Sequence, residues 1–295
     1  MAFAVKVMNT YCFEGRESQF RFFSNNKEVF DIFSKSLFPE IKIEYHSLEE
    51  ISLFEPKSII LNLFERKIDY TFLESFDFPI HLLHFSYLSL EPYRNVLRPW
   101  IQALHGKISH HKNLCIENYA VSLLPGTGWV FPEKNFIISP FSRDYFEKKY
   151  SLPGEKKWIS LFCYPDTQEM LEKCWFFELF GKEVLFLTFG KQKIERKNAF
   201  LLPFLTLQEH YCLLLHCKAN IVRGENSLIA ALEAKKPFFW DIYKESNMAH
   251  IQKIQDFVQY LETINADTIL IETHLQGNIH RDYNILKEYF RTALK

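Results

Sequence analysis

An α/β protein built from two Rossmann-like, doubly wound domains facing a cleft is what the sequence predicts, and three observations carry the prediction. The chain has 295 residues, and at roughly 150 residues per domain that length favours two domains, each with its own core. Apolar runs of strand length alternate with amphipathic segments of helix length, the pattern of a parallel sheet with crossover helices. A polar, turn-rich stretch near residue 152 separates an earlier set of such runs from a later one.

In the first half, Ala4–Met8, Ile41–Tyr45, Ser58–Phe64 and Ile80–Phe85 read as strands separated by helix-length segments. Ser139-Pro140 opens a helix that runs to about Tyr150, and Leu152-Pro-Gly-Glu-Lys-Lys follows as a linker. The expected division is 1–151 for an acceptor-side domain, 152–275 for a nucleotide-sugar domain, and 276–295 for a closing helix that packs near the domain junction. In the second half, Trp158–Tyr164 is a strand, Thr167–Phe180 a helix ended by Gly181, and Glu183–Phe189 the next strand. Strand Ala199–Leu205, helix Leu207–Cys217, strand Ala219–Val222, helix Ser227–Ala234 and strand Pro237–Ile242 continue the alternation. His250–Ile264 and Asp282–Leu294 carry the 3.6-residue apolar spacing of helices that pack beside the sheets.

Composition excludes several function classes. Lys and Arg (35) nearly cancel Asp and Glu (36), so the long-range positive field needed for non-specific nucleic-acid binding is missing. No apolar stretch approaches the ~20 residues of a membrane span, and the N-terminus reads as a short strand without a basic leader. A cytoplasmic protein with no membrane partner is the expectation. The six cysteines form no C-x-x-C pair and read as reduced core residues. His210, Cys212, His216 and Cys217 crowd together, yet they follow helical spacing and lack zinc-site spacing, and no Asp-x-Asp occurs, so no metal or cofactor is expected.

Three segments carry candidate chemistry. Asn220-Ile-Val-Arg-Gly-Glu-Asn-Ser227 ends a strand where a helix begins, the usual ligand edge of an α/β sheet. Free amides at that helix start, with Gly224 allowing close approach and Arg223 adding charge, suit a diphosphate. The plain alternative is that Asn226 or Ser227 caps the helix and Arg223 pairs with a surface acid. Ser160-Leu-Phe-Cys-Tyr164 delivers Phe162 and Tyr164 to the same edge for stacking on a base or ribose, with core packing as the alternative for Phe162. Pro203-Phe-Leu-Thr-Leu-Gln-Glu-His-Tyr211 offers Gln208 for a base edge and Phe204 or Tyr211 for stacking, unless it is only loop structure. His110-His111 reads as surface.

These segments, preceded by Leu124-Pro-Gly-Thr-Gly128 and followed by Lys236-Pro-Phe-Phe-Trp-Asp-Ile-Tyr243, resemble the EarP family of bacterial protein-arginine rhamnosyltransferases. The resemblance covers about residues 120–260 and rests on Pro-Gly-Thr-Gly, Ser-Leu-Phe-Cys-Tyr, Pro-Phe-Leu, Arg-Gly-Glu and Lys-Pro-Phe in that order. It implies a GT-B, metal-independent, inverting glycosyltransferase moving L-rhamnose from dTDP-β-L-rhamnose to an arginine of elongation factor P. By residue match, Phe162, Tyr164, Gln208 and Tyr211 serve the nucleotide, and Arg223, Gly224, Glu225, Asn226 and Ser227 surround its diphosphate and sugar; Phe204 joins the donor-binding set from the segment's own reading.

The sequence departs from the family at two places. Family members follow their first strand with Asp-Asn-Phe-Gly-Asp-x-Gly, whose second Asp is the base, whereas Asn9-Thr-Tyr-Cys-Phe-Glu-Gly15 stands here with Glu14 as the nearest carboxylate. Asn226 occupies the family's Asp position. A guanidinium is a poor nucleophile, so a carboxylate that orients it and takes its proton is worth roughly 100-fold to 10,000-fold. Glu14 is accordingly the candidate base. A catalytically silent relative that binds elongation factor P or a nucleotide sugar, and a GT-B transferase with another acceptor, are the competing readings.

Overall fold

The computed structural model describes residues 20–24, 26–35, 37, 41–47, 49–50, 59–63, 80–89, 114–122, 141–173, 176–189 and 194–295. The chain divides into two compact units, Met1–Pro132 and Glu133–Lys295. In the first, β1 (Phe20–Phe23) pairs in parallel with β2 (Ile43–His46), and α1 (Lys27–Ser34) lies between them in sequence. Buried Phe33 of α1 packs against Phe22 of β1, their rings tilted at 38° with centroids 4.7 Å apart. A three-stranded parallel sheet follows: β3 (Ile59–Leu63), β4 (Ile80–Ser89) and β5 (Leu114–Ser122), in that order. Three predicted strands correspond to β2, β3 and β4; β1, α1 and β5 escaped the sequence reading, and Ala4–Met8 lies outside the described residues.

The second unit is a five-stranded, fully parallel sheet in the order β10-β9-β6-β7-β8. Its strands are β6 (Lys157–Leu161), β7 (Val184–Thr188), β8 (Ala199–Leu201), β9 (Ala219–Arg223) and β10 (Phe238–Asp241). Numbered from the first strand of the unit, this is the 3-2-1-4-5 order of a doubly wound sheet read from its other end. The strands are apolar on both faces, as a sheet covered on both sides requires, and alternate residues feed two separate cores. Ile159, Leu161 and Phe186 pack with Phe176, Phe290 and Leu286 on one face. Trp158, Leu185 and Leu187 pack with Phe146, Leu202 and Leu213 on the other.

The helices are α2 (Arg143–Tyr150), α3 (Pro165–Lys173), α4 (Leu207–His216), α5 (Gly224–Ala234), α6 (Ala249–Thr263), α7 (Thr268–Leu275) and α8 (Tyr283–Ala293). The expected boundary near residue 152 is corrected by α2. Its Phe146 is fully buried against Trp158, and its Arg143 guanidinium sits 3.9 Å over the Trp158 ring. Tyr145, Lys149 and Tyr150 all bond Glu209 of α4. The helix therefore belongs to the second unit. The closing segment is likewise part of that unit's core, through Tyr283, Leu286 and Phe290 of α8.

Two further differences have local causes. The predicted helix Thr167–Phe180 stops as an α-helix by Lys173, and a 3-10 stretch, Glu178–Glu183, is broken at Gly181 (φ 63°, ψ −161°), a backbone shape open to glycine. Helix α7 was not foreseen because its buried residues, Thr273 and His274, are polar and leave no apolar stripe. They serve the sheet edge instead. His274 Nε2 accepts from the Trp240 N–H at 3.1 Å, and Asn278 Oδ1 from the Ile242 N–H at 3.4 Å, so edge strand β10 presents no bare amides there. Among the described residues, no helix is long and apolar enough to cross a membrane.

Candidate functional site

The strand order creates one topological switch point in the second unit. From β6 the chain moves outward through β7 and β8, then returns past β6 to add β9 and β10 on the other side. Connections leaving β6 and β9 therefore diverge, opening a crevice at their carboxyl ends, where α/β sheets bind ligands. The two strands are locked in register by a buried polar pin: Ser160 Oγ donates to Asn220 Oδ1 at 2.7 Å, and Asn220 Nδ2 donates to the Leu214 carbonyl. Phe162 continues the ladder by donating its N–H to Ile221 O at 2.9 Å. Phe162–Tyr164 and Arg223–Gly224 thus emerge side by side.

Arg223 ends β9. Its guanidinium carbon lies 4.3 Å from the Phe162 ring centroid and 5.1 Å from that of Tyr164, and one terminal N–H donates to the Cys163 carbonyl at 3.2 Å. It forms no salt bridge among the described residues, so the alternative of a surface acid partner does not hold for them. Two aromatic faces and a carbonyl hold the cation at the sheet edge, without an ion-pair partner among the described residues.

Gly224 has φ +65° with nothing within 4 Å of the place a Cβ would occupy, so the backbone angle, not space, calls for glycine. Helix α5 begins there, before the predicted start, which puts Asn226 and Ser227 inside the first turn. Neither caps it: α5 carries no side-chain cap bond. Uncapped first-turn amides stand beside Arg223, which has no ion-pair partner among the described residues, an arrangement of the kind that receives anions. Glu225, on the same turn, is held by Lys253 of α6. Ser227 is buried and Asn226 half-buried.

Tyr164 is half-buried, its ring 5.5 Å edge-to-face from exposed Tyr243. Burial raises its hydroxyl pKa, with Arg223 opposing the rise. Asp241, a residue without an assigned role in the sequence reading, accepts the Tyr164 N–H at 2.6 Å and the Thr167 hydroxyl at 2.8 Å. Burial pushes its carboxyl up to about 6, and those two bonds and nearby Lys244 pull it only part of the way back. Its sequence signal was a lone acid ending an apolar strand, Phe238-Phe-Trp-Asp241.

The third segment is only partly at the edge. Phe204 is 70% exposed, and Gln208 is half-buried in the first turn of α4. That helix start is closed by a Thr206–Glu209 capping box. Tyr211 corrects the expectation of a stacking ring: it is 3% exposed within the protein, and burial holds its hydroxyl pKa far above the ordinary value. His210 instead reaches the aromatic group at the edge, 5.9 Å from Phe162 and 5.6 Å from Phe189, with Nε2 buried and unbonded and its pKa lowered by burial to about 4. The neighbouring His216 bonds the Phe141 carbonyl at 2.8 Å, while Cys212 and Cys217 lie in the core. Among the described residues no three His, Cys, Asp or Glu side chains converge as metal ligands. Glu14, the Leu124–Gly128 loop and His110-His111 lie outside the described residues.

Residues 29–293 match the profile of the family described as Elongation-Factor P (EF-P) rhamnosyltransferase EarP. The protein-arginine rhamnosyltransferase of Shewanella oneidensis is 38% identical over 80 residues, 26% of this chain and 20% of that protein. Its counterpart in Pseudomonas aeruginosa is 36% identical over 67 residues, 22% of this chain and 18% of that protein. The chain thus aligns with about a fifth of the length of these relatives. The solved structure described as "Structural basis for EarP-mediated arginine glycosylation of translation elongation factor EF-P" aligns over 72% of this chain and 88% of its own, at 17% identity and a TM-score of 0.41. An S. aureus MnaA-UDP co-structure aligns over 92% and 88%, at 10% identity and a TM-score of 0.41. With its profile match running through nearly the whole chain, this α/β protein belongs to the EarP family.

Proposed function

We propose that the chain is a metal-independent, inverting protein-arginine rhamnosyltransferase of GT-B architecture. It uses dTDP-β-L-rhamnose as donor and an arginine of elongation factor P as acceptor, in the cytoplasm. The observation that carries the reading is the switch-point edge, where Arg223, the uncapped start of α5 and the Phe162–Tyr164 rings adjoin. A nucleoside diphosphate matches that set: the aromatic segment and Gln208 serve the nucleoside, Arg223 and the α5 amides the diphosphate. In the reaction, an acceptor guanidinium nitrogen attacks C1 of the sugar while the C1–oxygen bond to dTDP breaks. Arg223 and the first-turn amides stabilise the charge growing on the leaving diphosphate. The nitrogen's proton passes to a carboxylate, the role assigned to Glu14.

A second reading, a silent relative that binds without turnover, is favoured by the absence of both aspartates from Asn9–Gly15 and by Asn226 in the Asp position. One experiment separates the two. Elongation factor P from the same organism is incubated with the protein and dTDP-L-rhamnose without added metal, and its intact mass is measured. A gain of one deoxyhexose on arginine establishes the transferase, and Glu14→Gln then abolishes the gain if Glu14 is the base. Donor binding without any mass gain establishes the silent relative.

A further inference from the structure

Two helices start at the switch-point edge, and they start differently. At α5 the first turn is uncapped. At α3 a buried carboxylate is already in place. Tyr164, whose carbonyl accepts the first helical N–H from Gln168 at 2.9 Å, gives its own N–H to Asp241 Oδ2, and Thr167 in the first turn gives its hydroxyl to Oδ1. Asp241 is 1% exposed and Thr167 fully buried.

Among the described residues this carboxylate forms no salt bridge. Lys244, whose charge acts on it through space, is bonded to Asp166 at 2.6 Å. Arg223 is its cross-strand partner in the β9–β10 ladder, yet Arg223 turns to the Phe162 and Tyr164 rings and the Cys163 carbonyl. A buried carboxylate without a paired cation is costly, and its strand neighbours Phe238, Phe239 and Trp240 show what the sheet itself requires there. Its two bonds go to the segment that carries Tyr164, and Tyr164 lies under Arg223.

We infer that Asp241 is a positioning residue for the donor: it fixes the Tyr164 backbone so that ring and Arg223 meet the donor. The inference rests on the donor-site reading above.

The test is calorimetric titration of the full chain with dTDP-L-rhamnose, for the wild type, Asp241→Ala, Tyr164→Ala, the double variant and Asp241→Asn, with melting temperatures measured alongside. Because Asp241 acts through Tyr164, each alanine variant raises Kd about tenfold and the double variant no more than about twentyfold, short of the ~100-fold that independent sites give. Asp241→Asn, which keeps an acceptor for the Tyr164 amide, recovers affinity to within about threefold of wild type. A general loss of packing does not produce that non-additivity. If Asp241→Ala does not fold, Asp241→Ser, too short to reach the Tyr164 amide, replaces it in the cycle. Wild-type affinity in the Asp241 variant, or fully additive losses, overturns the inference while leaving the donor site standing. A wild-type protein that takes up no donor overturns the donor-site reading and this inference with it.

Discussion

Glu209 and Asp241 are both buried carboxylates in the second unit, and their surroundings treat them oppositely. Glu209 joins α2 to α4. One oxygen receives Lys149 Nζ at 2.5 Å and the hydroxyls of Tyr145 and Tyr150 at 2.9 and 3.0 Å, and the other receives the Thr206 N–H and hydroxyl. Burial alone raises such a group, but these bonds, that of Lys149 foremost, outweigh it and hold the carboxyl at about 2. Asp241 has two neutral donors and sits at about 6 because burial wins. The difference separates two jobs. A charge that ties helices together is compensated in full, whereas at the proposed donor edge the nearby guanidinium forms no ion pair among the described residues and rests on two aromatic rings and a carbonyl.

Substitutions at the two places break or sharpen this contrast. The largest effect belongs to Arg223→Ala, which raises the Kd for dTDP-L-rhamnose by about 30-fold to 100-fold, the worth of charge-assisted bonds, and leaves the melting temperature nearly unchanged. Calorimetry and thermal melts check both halves, and a large loss of stability without loss of binding breaks the contrast. Glu209→Gln shows the reverse pattern. It lowers unfolding free energy by about 2–3 kcal/mol, since several donors lose a charged acceptor, and leaves donor affinity intact. Urea denaturation measures it.

Gly224→Ala comes next. A Cβ meets no neighbour, so the cost is that of the left-handed backbone alone, about 1–2 kcal/mol, and a stability loss well beyond that shows a packing role for Gly224. The smallest effect is a pair of opposed pH slopes in stability. Glu209 lies below its ordinary 4.5, so its contribution is present above that pH and fades as pH falls towards about 2. The margin of wild type over Glu209→Gln shrinks on acidification. Asp241 lies above its ordinary 3.8, so its contribution is full below that pH and is lost as pH rises through about 6. Wild type therefore gains on Asp241→Asn as pH falls, and parallel slopes for the two variants refute the assignment of opposite environments.

Much of the second unit was legible in the sequence because its strands and most of its helices obey simple periods. The runs around Trp158, Val184, Ala219 and Phe238 became β6, β7, β9 and β10 with shifts of a few residues at their ends. Elements whose buried positions are polar were not legible. Helix α7 turns Thr273 and His274 inward to serve the edge of β10, and periodicity of apolar residues does not register such a face. Arg223, Gly224 and Tyr164, which adjoin at the sheet edge, were singled out because a strand end followed by a helix start is a local pattern. Tyr211 was misplaced because helical spacing does not say which face of α4 the rest of the chain covers.

Local chemistry in the sequence determined the α/β class, the parallel strands, the glycine at the start of α5 and the family motifs, since each depends on residues close together along the chain. Tertiary structure decided the strand order, the placement of α2 with the second unit, the burial of Tyr211 and the meeting of Asp241 with Tyr164. Those depend on contacts between residues some sixty to eighty positions apart, such as Glu209 with Tyr145 and Asp241 with Tyr164, which are selected by packing two faces of one sheet at once and by the need to satisfy every polar group that packing buries.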